Sequence, residues 1–213
     1  FDIETSYYFS IVPSATPYSR NALFAGLLPR DIAAAYPDWW TEREDEGLNA
    51  HEHELLARQL ERLAGRPVPT RYEKLFGTSD GDEFLRRLPA ALAQDGVTAL
   101  VFNFVDQLTH GRSEHPILME VARDEAAMRA LTAAWYERSA LKAALQEAER
   151  RRVPVVLTSD HGSLPCHSPA TVFAKRDATS NLRYKFGEDL RVERKADALV
   201  VDDLPAWGLP AMG

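Results

Sequence analysis

The sequence has one cysteine, Cys166, among 213 residues. A lone thiol excludes an internal disulfide framework and fits a reducing compartment, so a cytoplasmic chain is expected. Long hydrophobic runs are missing as well. No stretch approaches the roughly 20 apolar residues that span a bilayer, which excludes a membrane-spanning helix. A surplus of positive charge is also absent: 25 basic against 32 acidic residues leave a formal net charge of -7. That argues against a broad nucleic-acid-coating surface, though not against a local basic pocket. The chain opens on FDIETSYYFS, without an initiator Met or a signal-peptide pattern. It closes on AWGLPAMG, just after a strand-like run. Both ends read as cuts through a domain. Internal repeats and low-complexity linkers are lacking.

What is present is an ordinary globular composition, 45% hydrophobic and 27% charged. The length suits one domain, residues 1–213, with a helical and irregular insertion over about residues 30–97. The organising stretch is VPVVLTSDHGS, Val153 to Ser163. Its short apolar run, bounded by turn formers, predicts a strand buried on both faces of a parallel sheet. Asp160 and His161 would then lie just past the strand's carboxyl end, where open α/β sheets place ligands. Carboxylate and imidazole together suit a divalent transition metal. The bland alternative is a turn Asp beside a satisfied histidine.

Elsewhere, YYFSIV (Tyr7–Val12), Thr98–Val105 and Ala196–Val201 also read as strands. Ala170–Lys175 and Leu182–Phe186 read as the two arms of a hairpin-like excursion, and Val68–Phe76 as an extended connection. Helices are predicted from Pro17 to about Ala25, over Glu52–Ala64 and over Asp80–Ala93. The second carries a stripe of Leu55, Leu56, Leu60 and Leu63; the third carries Phe84, Leu85, Leu88 and Leu92. Ile117–Arg152 reads as one long helix or two that abut, and Arg30–Asn49 as irregular. Strands alternating with helices give an α/β class with a mostly parallel central sheet flanked by helices.

Two further groups carry chemistry. Asp106 and His110, in NFVDQLTHGR, form a D-x-x-x-H past the Thr98–Val105 strand. On a helical turn their side chains share a face; otherwise Asp106 caps a helix and His110 is a surface residue. Thr16 precedes Pro17 and suits an N-cap. A threonine there could also act as an activated nucleophile, with phosphate oxygens meeting the helix start. Arg20 and Asn21, one turn on, could hold those oxygens. His167 beside Cys166 could form a stray metal site, or simply lie on a surface loop. His51, His53 and His115 are assigned to solvent.

Taken in order, PSATPYSRNALFAGLLP, NFVDQLTHGR, TSDHGS and SNLRYKFGEDL resemble the alkaline phosphatase superfamily. Within it they are similar to the PglZ domain, and with AWGLP near the end to the effector domain of PorX-type response regulators. The resemblance runs over nearly the whole chain. It implies a phosphatase-like fold with two zinc ions and a threonine nucleophile. Carried over, Thr16 matches the nucleophile, Asp106 and His110 match ligands of one metal, and Asp160 and His161 match ligands of the other. Arg183 and Lys185 fall in a family-specific stretch that could bind a polyanionic substrate. A further Asp ahead of Phe1 and a later His beyond Gly213 belong to the family pattern. The implied activity is hydrolysis of nucleotide-type phosphoesters, including oligonucleotides. An upstream receiver domain, a signalling partner and a homodimer are the partners that go with it. A signalling module with a structural or incomplete metal site is the rival reading.

Overall fold

The computed structural model describes residues 2–40, 49–75, 78–164, 166, 168–175, 183–187 and 189–211. The chain divides into two compact units. One comprises Phe1–Glu4 and Pro67–Thr158, the other Thr5–Arg66 and Ser159–Gly213.

In the second of these, α1 (Thr16–Ala25) and α2 (Pro29–Ala35) lead through a 3-10 turn at Pro37–Trp39 to α3 (Glu52–Ala64). Gly26 closes α1 at φ +60°, and a Cβ there would lie 2.5 Å from the Gln59 side chain of α3. The glycine therefore permits both the left-handed cap and the close approach of α3. Ala25, Ile32 and Leu55 form a fully buried cluster, wrapped by Phe24, Leu27, Tyr36, Trp39 and Trp40. Burial of Ile32 and Leu55 contributes about 1.5–3 kcal/mol each. Leu55 thus serves the stripe predicted for α3, whereas Leu63 at its far end is 77% exposed. The stretch read as irregular holds most of α2 and the Pro37–Trp39 turn, while Tyr36, Trp40 and Asn49 are non-helical and residues 41–48 lie outside the described set.

In the other unit, β1 (Thr70–Leu75), α4 (Thr78–Leu92) and β2 (Val97–Phe102) make a β-α-β unit. The strands pair in parallel from Thr70↔Val97 to Leu75↔Phe102. Gly96 enters β2 at φ +116°, and a Cβ would meet the Pro69 carbonyl oxygen at 2.1 Å. That carbonyl accepts the Val97 amide at 2.9 Å, the first contact of the strand pair. Leu75, Phe84, Leu88 and Ala144 form the core, so the predicted α4 stripe faces inward. After β2 come α5 (Phe104–Glu114), α6 (Pro116–Val121), α7 (Glu125–Tyr136) and α8 (Ala140–Arg151).

Several expectations are corrected. Residues 117–152 form three helices, not one or two, because Asp124 and Ser139 cap new starts by accepting from the Ala127 and Lys142 amides. The extended connection Val68–Phe76 contains β1, a strand hidden by its polar sequence TRYEKL. Conversely, Tyr7–Val12, Val153–Leu157 and Ala196–Val201 lie in no strand, the last beginning in a 3-10 turn at Lys195–Asp197. Phe9 and Val156 are 102% and 90% exposed, and Leu199 and Val200 are exposed too. A buried-strand pattern records a demand for neighbours without naming them, and Pro13 and Pro154 cannot donate to a ladder. The excursion after Ala170 pairs Val172–Phe173 (β3) with Arg191–Val192 (β4), antiparallel; of the predicted arm Leu182–Phe186, residues 183–186 lie in no strand and Leu182 lies outside the described residues. The class is α/β, but among the described residues both sheets have two strands, and the large central sheet is not shown. No described helix is long and apolar enough to cross a membrane.

Candidate functional site

Thr16 is the first residue of α1, and the N-cap position falls to Ala15, which has no side chain able to cap. The expected capping role is therefore corrected, and the hydroxyl is left for other contacts. Thr16 Oγ1 lies 3.1 Å from His161 Nε2. The other ring nitrogen, Nδ1, bonds the Gly162 carbonyl at 3.0 Å. A carbonyl can only accept, so Nδ1 carries the hydrogen and Nε2 turns its lone pair toward Thr16.

Asp160 stands beside this pair, its Oδ2 3.8 Å from His161 Nε2, with side chains only 14% and 11% exposed. Arg20, one turn along α1, ties two carboxylates together. Its Nε is 3.4 Å from Asp160 Oδ2, and its Nη1 is 3.6 Å from Glu52 Oε1. The backbone carrying Asp160 is held from the other side: Ser10 Oγ donates to the Asp160 carbonyl at 2.7 Å, and the Tyr8 hydroxyl donates to the Ser159 carbonyl.

The remaining candidates divide. Asn21 is turned into its own helix, buried, with its amide donating to the Pro17 carbonyl at 2.9 Å. The Arg183 guanidinium donates to the Ser14 carbonyl, two residues before Thr16. Tyr184 meets Tyr18 edge-on at 5.5 Å, and Lys185 is half-buried in the same stretch. The segment thus lies along the start of α1. Asp106 and His110 occur in the other unit, near the start of α5, with His110 Nε2 3.5 Å from Asp106 Oδ1. Their side chains are 38% and 72% exposed. Cys166 is exposed, while His167 lies outside the described residues. His51, assigned to solvent, instead stacks on Trp39 with ring centroids 5.8 Å apart.

Residues 1–204 match the model of the BREX system PglZ alkaline phosphatase-like domain. The chain belongs to the PglZ family. No curated protein compared with this PglZ chain matches it. The family is alkaline phosphatase-like, and its coarse chemical meaning is a hydrolase of the phosphoesterase type. Such enzymes are generally metal-dependent, so the donor set has to be tested against an ion.

Asp160 passes that test best. Its Oδ2 is buried and accepts no hydrogen bond, although Arg20 Nε balances its charge from 3.4 Å, so the oxygen keeps lone pairs that an ion could take. His161 adds a nitrogen whose tautomer is fixed by Gly162, the usual support for a metal-binding imidazole. Asp106 and His110 offer the same donor types with the carboxylate already facing its own histidine. No group of three or more His, Cys, Asp or Glu placed to hold one ion occurs among the described residues.

The sequence reading missed Glu52, which is 1% exposed and is the second carboxylate on Arg20. Its position in the first turn of a helix was an available signal, but such acids normally serve the helix dipole. Ser10 and Tyr8 fall within the predicted Tyr7–Val12 strand. Nothing in their local pattern marks hydroxyls that brace a loop about 150 residues away.

Proposed function

We propose that this PglZ-family chain is a zinc-dependent phosphodiesterase or phosphatase acting on nucleotide-type phosphoesters, oligonucleotides included, with Thr16 as the nucleophile. The single observation that carries the reading is the 3.1 Å contact between Thr16 Oγ1 and His161 Nε2 at the start of α1. Asp160 and His161 would hold one ion, and Asp106 and His110 a second. When bound, zinc would supply the Lewis acid that turns the Thr16 hydroxyl into a competent nucleophile.

The chain's own residues do the rest. Without an ion His161 Nε2 sets the rotamer of Thr16, its lone pair would pass to the ion on loading, and Gly162 fixes the ring in either case. Arg20 is a positioning residue: held by buried Glu52, it keeps the Asp160 carboxylate in place. At the start of α1 Pro17 has no N–H and the Tyr18 and Ser19 amides donate to the Ala15 carbonyl, so the Thr16 amide and the positive end of the helix dipole are what would meet phosphate oxygens. Oγ1 would attack phosphorus in line, an alcohol would leave, and water would then cleave the phosphothreonine. Arg183 and Lys185 lie in the stretch along this helix start and would meet the distal, polyanionic part of a substrate. In the whole protein the domain would serve as the output of a two-component response regulator, in the cytoplasm.

The test is turnover of a chromogenic phosphodiester by zinc-loaded protein. Thr16→Ala should lower turnover by at least about a thousandfold, since nucleophile removal costs that much or more in comparable enzymes, with the thermal midpoint unchanged. Undiminished turnover would overturn the reading. Bound zinc without turnover of any phosphoester would favour a signalling module instead.

A further inference from the structure

We infer that the unit built on β1 and β2 holds a binding cavity for a mononucleotide. A cavity of about 920 Å³ opens where Leu75 ends β1 and Phe102 ends β2. The carboxyl ends of parallel strands are where open α/β sheets accept ligands, and the volume lies within the range of small-molecule sites. No residue of the Thr16 cluster contributes to it.

Three features specify the occupant. One wall is aromatic. Trp135 stacks on Phe104 at 4.4 Å with ring planes 2° apart, and Phe102 meets Trp135 edge-on at 6.5 Å. All three rings are half-buried, so a planar heterocycle can extend the pile, a contact typically worth about tenfold in affinity. The second feature is amide chemistry: Gln107 and Gln146 are exposed and line the same space. An amide presents a donor beside an acceptor, the pairing that a base edge offers in return. The third is charge. Lys142 is neutralised by Glu137 at 2.5 Å, whereas the Arg138 guanidinium makes no ion pair with a described residue. One uncompensated cation suits one phosphate. Asp82 also lines the cavity and would repel a longer polyanion, which selects a mononucleotide over a nucleic-acid strand.

Calorimetric titration of the full chain with AMP, adenosine and ribose 5-phosphate, in EDTA so that no turnover intervenes, tests the assignment. AMP should bind one to one, and ribose 5-phosphate at least about tenfold more weakly because it cannot stack. Arg138→Ala should weaken AMP about tenfold and leave adenosine unchanged. Trp135→Leu should weaken both ligands. Because that substitution can also disturb the fold, the exposed Gln107→Ala is the second probe, with a loss of about threefold. Thr16→Ala should bind AMP normally, which separates this site from the hydrolysis proposal. Absence of AMP binding up to ~1 mM would overturn the inference. So would equal affinity for ribose 5-phosphate, affinity indifferent to both Arg138 and Gln107, or loss of binding in Thr16→Ala.

Discussion

The two Asp/His pairs have the same donor atoms and opposite surroundings. Asp160 and His161 are nearly buried, with side chains 14% and 11% exposed, and each has a second residue holding it: Arg20 for the carboxylate, Gly162 for the ring. Asp106 and His110 lie on a helix surface at 38% and 72% exposure and face mainly each other. Spacing alone therefore does not distinguish a prepared site from a surface pair. Burial and the next layer of contacts do, because the partners of a carboxylate matter most where water cannot reach it.

The sharpest way to break this comparison is to remove the buried support from one pair and a partner from the other. Glu52→Ala leaves the Arg20 charge in a poorly hydrated place with one partner fewer. The loss of a buried ion-pair partner should cost about 3 kcal/mol, read as a lowered midpoint in urea unfolding. His110→Ala removes an exposed i,i+4 contact and should cost below about 0.5 kcal/mol. Equal costs would mean that the two pairs are held alike.

A smaller effect tests the frame beneath Asp106. Gly96→Ala places a methyl group against the Pro69 carbonyl oxygen and forces an L residue to φ +116°. A cost of about 2 kcal/mol is expected from backbone strain alone. The measurement is the denaturation midpoint, and a change below about 0.5 kcal/mol would show that β2 can shift to absorb it.

The candidate chemistry was more legible than the sheet that was expected to carry it. Asp160 and His161 stand out as a hard oxygen and a borderline nitrogen ligand after an apolar run, although the residues that meet them, Thr16, Ser10 and Tyr8, lie far away in sequence. The helices were legible because periodicity and caps are local: Leu55 and Gly65 mark α3, and Phe84 and Leu88 mark the inner face of α4. The strands were not, because pairing is a property of two segments. TRYEKL is polar yet pairs with Val97–Phe102, whereas the apolar run at Val153–Leu157 pairs with nothing among the described residues. Glu52 and Ser10 were illegible for the same reason, since each acts on a residue far away in sequence.

The smallest effects concern caps, and they differ in their response to pH. Ser139 accepts the Lys142 amide at the start of α8 and donates to the Tyr136 carbonyl at 2.8 Å. Ser139→Ala should cost about 1 kcal/mol, and the same at every pH, because a hydroxyl does not titrate in the range where the protein is folded. Asp124 caps α7 with a carboxylate. The Ala127 amide that it accepts, and then the neighbouring Arg123, hold its pKa below the ordinary carboxylate value of 3.8. A carboxyl whose folded pKa lies below its unfolded one adds stability that is fully present above the unfolded value and lost as pH falls through the folded value. Asp124→Asn keeps an oxygen for the Ala127 amide but discards the charge. Its stability deficit should therefore be constant near neutrality, shrink as pH drops below about 3.8, and vanish once both states of the native protein are protonated. A deficit that persists unchanged in acid would mean that the Asp124 cap works by geometry alone, like that of Ser139.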